Sequence, residues 1–243
     1  QYKKTSSGFE ELPQMNVDHG SGLERWVAAI RNDADMFNID VFAEAKSTLE
    51  KISGVPYVSD IAVTYTDLKN PTFAYRVILD HIRAATLLIG DDVLPGNKDQ
   101  MYFVRRLIRR AVRYARNLGI HTNFIAEVAV SFIEYYKDEY KNLEEKRGTI
   151  LLELTREEEK FRKTLESGMK EFEKIAHSTI SGVNAFNLLQ SFGFPIELTE
   201  ELAKERGIIV DREAFEVEKK KHSEQSRTAS AGKFKGGLGG DGE

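Results

Sequence analysis

The chain has no cysteine in its 243 residues. Neither a disulfide framework nor a thiolate metal site can be built from it. Its five histidines, His19, His81, His121, His177 and His222, are scattered, and no metal-ligand spacing appears among them. No apolar run approaches the length needed to span a bilayer. No charged segment followed by an apolar one opens the sequence as a secretory signal would. There is no internal repeat. These absences lead to the expectation of a cytoplasmic protein with no membrane partner and no protein-bound metal.

The rest of the composition is ordinary for a soluble, helix-rich protein, with 41% hydrophobic and 30% charged residues. The length permits one or two domains and a sizeable core. A net charge of −4 argues, by itself, against a nucleic-acid partner. Its distribution argues the other way. Lys98, Arg105, Arg106, Arg109, Arg110, Arg113 and Arg116 fall in one short segment, opposed there only by Asp99.

That segment has helical geometry. With Arg105 at zero and 100° per residue, the six arginines fall between roughly 0° and 140°. Val104, Leu107, Ile108, Ala111, Val112, Ala115 and Leu118 fall between roughly 200° and 340°. One face packs and the other presents guanidiniums. Residues 100–118 contain no Glu or Asp, so i,i+4 pairing within the helix is unavailable. The arginines must repel one another unless an anion or acids from elsewhere in the chain lie against them. A phosphate backbone is the anion that fits best. A solvated, salt-bridged face is the plainer alternative.

Residues 1–33 read as strand, turn, strand and helix. A helix follows over 37–53, closed by Gly54, and the stretch from Gly54 to Pro71 is rich in turn residues. Helices are expected over 73–90, over 98–118 with Gly119 as C-cap, and over 122–140. Thr155-x-x-Glu158 has the pattern of a capping box opening another helix, whose apolar stripe is Phe161, Leu165, Met169, Phe172 and Ile175. Shorter helices are expected over 182–192 and 199–206. Asp211 is placed to cap a last helix running to about Thr228, before a glycine-rich linker. The fold class expected is mainly α (α+β), a small sheet remnant followed by a helical domain.

Five segments carry chemistry. Asp18-His19-Gly20-Ser21-Gly22 leads into Leu23-Glu24-Arg25; the glycines let a ligand approach the backbone, and a guanidinium can stack on a base. Asp18 could accept from an ammonium group or shape an Asx-turn. Arg25 could equally be an ordinary helix-surface ion-pair partner. The others are Phe37-Asn38-Ile39-Asp40, Asp80-His81-Ile82-Arg83, Pro95-Gly96-Asn97 with its arginine helix, and Ala185 to Pro195. Together they resemble the class II aminoacyl-tRNA synthetases, and the first resembles their motif 3 in the form used by alanyl-tRNA synthetases.

The resemblance runs from about Gln1 to Glu243. It implies a C-terminal part of a catalytic domain over 1–66, a helical tRNA-recognition domain over 67–232, and a flexible tail over 233–243. It implies that Asp18 and Gly20 meet the alanine substrate, and that Gly22 and Arg25 meet ATP, brought as its Mg2+ complex. By the same resemblance Asn97 reads a G·U wobble at the third pair of the tRNA(Ala) acceptor stem, with Arg105, Arg106, Arg109, Arg110 and Arg113 along the RNA. Asn97 would also suit the N-cap of the arginine helix. Gln190 stands where the family has an aspartate that joins in reading the pair; the amide can still accept, and it lacks the charge. His19 and Ser21 replace the family's usual threonine and methionine. His81 and Arg83 are read as structural, joining the helical domain to the catalytic part.

The implied reaction is ATP-dependent ligation of alanine to tRNA(Ala) through alanyl-adenylate. It would belong to a longer enzyme, with motifs 1 and 2 on an N-terminal part that this piece needs as partner. A stand-alone helical RNA-binding module and one half of a split synthetase are the other readings.

Overall fold

The computed structural model describes residues 2–13, 20–64 and 66–234. The chain parts into two compact units, residues 1–39 and residues 40–243. In the first, β1 (Tyr2–Thr5) and β2 (Gly8–Glu11) form an antiparallel hairpin, with Lys3 opposite Glu10 and Thr5 opposite Gly8. Opposite charges at facing positions favour that register. α1 (Leu23–Ile30) follows, and a 3₁₀ turn at Met36–Asn38 is opened by Asp35, whose side chain accepts from the Phe37 amide at 3.1 Å.

The second unit is helical: α2 (Asp40–Ser53), α3 (Pro71–Gly90), α4 (Asp99–Ala115), α5 (Ile125–Tyr136), α6 (Lys141–Glu145), α7 (Arg147–Ile175), α8 (Gly182–Phe192), α9 (Ile196–Lys204) and α10 (Arg212–Phe234). α3 is its central element. Asn70 caps it by accepting from the Thr72 amide at 2.8 Å, and Pro71 occupies the first turn, where its missing N–H costs nothing. Tyr75, Ile78, Leu79 and Ala85 of α3 are fully buried, and α3 packs against both α4 and α5. The apolar face expected of α4 packs against α3: Val104, Ile108, Ala111, Val112 and Ala115 are all buried. Residues 40–64, expected with the catalytic part, fall in this helical unit. Phe42 meets Phe132 of α5 edge-on, and Thr48 lies 3.3 Å from Ser131.

Three expectations are corrected. Thr155 and Glu158 open no helix, because α7 runs unbroken from Arg147 to Ile175. The Thr155 hydroxyl donates back to the Leu151 carbonyl, and the buried Glu158 carboxylate instead accepts from the Phe124 and Ile125 amides at the start of α5. The helix expected over 122–140 stops at Tyr136, and α6 follows as a separate element. The last helix continues past Thr228 to Phe234. Its start is as expected, with Asp211 accepting from the Ala214 amide at 3.0 Å. α8 and α10 approach so closely that a methyl group on Gly182 would strike the backbone of Ala214 and Phe215.

Candidate functional site

In the first unit the glycine-rich run ends on α1. Asp18 and His19 lie outside the described residues. Gly20 is exposed, with nothing within 4 Å of where a side chain would begin. Gly22 is the N-cap residue of α1, and the Arg25 stem folds back over it, its Cγ and Cδ 3.6 Å from where a Cβ would sit. The Arg25 guanidinium is exposed and takes no hydrogen-bond or ion-pair partner among the described residues. The Trp26 ring nitrogen donates to the Ser21 hydroxyl at 3.0 Å, tying the loop to the helix it precedes.

In the second unit the arginine face of α4 looks inward. The expectation of guanidiniums free for phosphate is overturned, because a carboxylate from elsewhere in the chain meets each one. Glu157 of α7 lies against Arg105 at 3.3 Å and Arg109 at 2.5 Å. Glu197 and Glu201 of α9 take Arg106 and Arg110, each at 2.6 Å. Glu205, just after α9, takes Arg113, and Glu166 of α7 takes Arg116. Arg109 and Arg113 are each only 6% exposed, whereas the side chains of Arg106, Arg110 and Arg116 retain between 26% and 31%. Burial pulls the Arg109 pKa down, with Glu157 opposing. Burial also holds the Glu201 and Glu205 carboxyls above the usual range, against Arg110 and Arg113. Nearby Tyr102 is pushed up to about 12 by burial and the charge of Glu197.

These partners were missed in the sequence, yet they leave a signal there. Glu197, Glu201 and Glu205 recur every four residues and so form a stripe on α9. Arg106, Arg110 and Arg113 form a matching stripe on α4.

Asn97 is exposed, and the Arg105 guanidinium donates to its side-chain oxygen. It does not cap α4: Lys98 is the N-cap residue, and no side chain bonds the helix start. From Asn97 a continuous polar path runs inward through Arg105, Glu157 and Arg109. It ends where Arg109 donates to the Gly193 carbonyl at 2.5 Å. Gly193 is the left-handed C-cap of α8, at φ +71°. A Cβ there would be strained and would collide with the Arg109 guanidinium. Gln190, three residues earlier on α8, is exposed and bonds His222 of α10 at 3.2 Å. Asn97 stands at one end of this path, and Gln190 lies three residues before the Gly193 at which it ends.

His81 and Arg83 make their contacts within the helical unit. The imidazole lies 3.1 Å from Asp80, and Arg110 donates to its other nitrogen at 2.8 Å. The ring proton is therefore on Nδ1, facing Asp80. Burial lowers the His81 pKa, while the hydrogen bond from His81 lowers that of Asp80. Arg83 lies over the Phe42 ring and donates to the Tyr136 hydroxyl at 3.2 Å. A neutral folded-state His81 contributes stability above its unfolded pKa of about 6.5, and that stability is lost as pH falls through the lowered folded value. Denaturant titrations from pH 7.5 to 5.5 are expected to show declining stability, with a shallower decline in His81→Gln. Equal slopes in the two proteins would remove His81 from the account.

Among the described residues no group of three or more His, Asp or Glu side chains is arranged to hold a metal ion. None of their helices is long and apolar enough to cross a membrane.

The hairpin, the glycine-rich run and the ion-paired helical unit belong to a known class. The family model for class II tRNA synthetases (A) matches residues 1–237, and the chain belongs to that family. It is 40% identical to the alanine–tRNA ligase of Borrelia hermsii over 245 aligned positions, which cover 98% of this chain and 40% of that protein. It is 39% identical to the alanine–tRNA ligase of Halalkalibacterium halodurans, over 91% of this chain and 25% of the relative. It is 36% identical to that of Lactococcus lactis, over 92% and 25%. The chain thus spans between a quarter and two fifths of the length of these relatives.

Proposed function

We propose that this chain is the part of an alanine–tRNA ligase that completes the amino-acid and ATP site and reads the acceptor stem of tRNA(Ala). The parent would join alanine to tRNA through alanyl-adenylate, using ATP as its Mg2+ complex, in a cytoplasmic setting. Asp18 would hold the alanine ammonium group, and Gly20 would leave room for a small substrate. Gly22 and Arg25 would meet ATP. The open backbone at Gly20 and the exposed guanidinium of Arg25 fit that use.

The observation that carries the recognition half is the path from Asn97 to Gly193. Two readers of one base pair must keep a fixed spacing, because a hydrogen bond is lost within about an ångström of displacement. A buried ion pair adds little net stability, and in some proteins its use is to fix geometry. Arg105, Arg106, Arg109, Arg110 and Arg113 then serve the RNA by holding α4 to α7 and α9 through their carboxylate partners. The reading is supported by the alanine–tRNA ligases that the chain resembles.

The test is a titration of the chain with two acceptor-stem hairpins, one with G·U at the third pair and one with G·C. Tighter binding of the G·U hairpin is expected, by about fivefold or more. Arg106→Ala with Arg110→Ala should leave the salt slope unchanged on both hairpins, because Glu197 and Glu201 already neutralise the two guanidiniums. Equal affinity for the two hairpins would favour the stand-alone RNA-binding alternative.

A further inference from the structure

Gln190 replaces a carboxylate by an amide at a position read above as facing the wobble pair. A carboxylate offers only acceptors, whereas an amide has two faces, and an unguided amide would present donor or acceptor at random. The structure removes that freedom. The Gln190 amide nitrogen lies 3.2 Å from Nε2 of His222. An amide nitrogen only donates, so His222 Nε2 is the acceptor and its ring proton sits on Nδ1. One hydrogen of the amide NH2 is thereby engaged on the protein side. Its carbonyl oxygen has no partner among the described residues, and Gln190 is exposed. The imidazole is itself held in place. It packs on Phe186 at 5.4 Å between ring centres, and Phe186 packs on Phe215 at 6.2 Å. The same two helices are locked together at Gly182.

We propose that His222 is a positioning residue that fixes the polarity of Gln190, so that the amide turns its oxygen, rather than its NH2 group, toward the RNA. The inference rests on the reading that Gln190 faces the third base pair. The guanine amino group of a G·U wobble is a donor in the minor groove and needs an acceptor. An amide oriented by His222 supplies one without a carboxylate's charge, which would be repelled by the phosphates on either side. The Gln190–His222 pair then does the work of the aspartate that the resemblance leads one to expect.

The test has two parts, both on the whole chain. In the free protein, long-range 15N–1H correlation of the His222 ring is expected to show Nδ1 protonated and Nε2 bare. The reverse tautomer would overturn the proposal. In the second part, His222→Phe keeps a ring against Phe186 and removes the acceptor. It is expected to cut the preference for the G·U over the G·C hairpin by about fivefold, the scale of one net hydrogen bond. In a Gln190→Asp background the same substitution should leave the preference unchanged, because a carboxylate needs no orienting. A purely structural His222 would lower the preference in both backgrounds, or the thermal midpoint in both, and either result overturns the proposal, as does an unchanged preference in His222→Phe alone. If Gln190→Ala also leaves the preference intact, the reading of the pair by Gln190 has failed and the proposal falls with it. The tautomer measurement then separates that failure from an error in the hydrogen bond itself.

Discussion

Glu157→Ala is expected to destabilise the protein by about 3–5 kcal/mol, the scale seen when one partner of a buried ion pair is removed. Glu157 is 5% exposed and faces two guanidiniums, Arg105 and Arg109. Arg109 is 6% exposed and lies over the Phe161 ring, so water has little access to it. Removing the carboxylate leaves two like charges near each other in a medium that screens them poorly. The comparison is Glu166→Ala, which breaks the pair with Arg116 at a site where Glu166 is 63% exposed. Solvent screens that pair, and its loss should cost less than about 1 kcal/mol. Urea unfolding of both variants gives the two numbers. A Glu157→Ala loss no larger than that of Glu166→Ala would mean that water or a side-chain rearrangement reaches Arg105 and Arg109. The polar path from Asn97 to Gly193 would then be no rigid frame.

The pattern of this result explains what the sequence could reveal. Local signals were reliable where one residue type has one physical use. Asn70-Pro71 opens α3, and Gly119 and Gly193 close the helical segments before them in left-handed conformations. The apolar stripe of α4 was legible for the same reason, since a helix has one period and one buried side. Thr155-x-x-Glu158 failed because a capping box is a local pattern, and Glu158 was needed elsewhere. From the middle of α7 it caps α5, more than thirty residues away in sequence. Nothing between Arg147 and Ile175 interrupts the helix, and Gly168 is accommodated because it faces Phe194 across a close contact.

The candidate site divides in the same way. The residue types were legible, and the partners were not. Six arginines without a local acid posed a choice between a foreign anion and distant carboxylates. Those carboxylates lie 48 to 92 residues further along the chain. Sequence order cannot rank such separations, because helices that follow each other at short loops need not be the ones that pack. What decides the choice is that α7 and α9 both close over the arginine side of α4. The stripe of Glu197, Glu201 and Glu205 was visible but had no partner until α9 was placed. Asn97 was ambiguous for a different reason. A residue before a helix is the usual place for a cap, and only the contact with Arg105 separates that use from recognition.

That contact makes the second large effect specific. Asn97→Ala is expected to lower the preference for a G·U hairpin over a G·C hairpin by about 1–3 kcal/mol, the worth of a good base contact. Arg105 occupies the Asn97 oxygen, so the amide hydrogens are the part left to meet RNA, and they donate. Asn97→Asp sharpens the test. Aspartate keeps an oxygen for Arg105 and is as good a helix cap as asparagine, but it has no hydrogen to donate. If Asn97 reads the pair, Asn97→Asp should lose the preference as fully as Asn97→Ala does. The thermal midpoint should stay near that of the wild type in both, because α4 takes its N-cap from Lys98 and no side chain bonds its first turn. Binding should be measured at several salt concentrations, since the added negative charge will weaken binding to both hairpins alike and only their ratio reports the contact. A preference retained by Asn97→Asp, or lost equally on both hairpins with a falling midpoint, would return Asn97 to a role in shaping the helix start and leave the base pair to other residues.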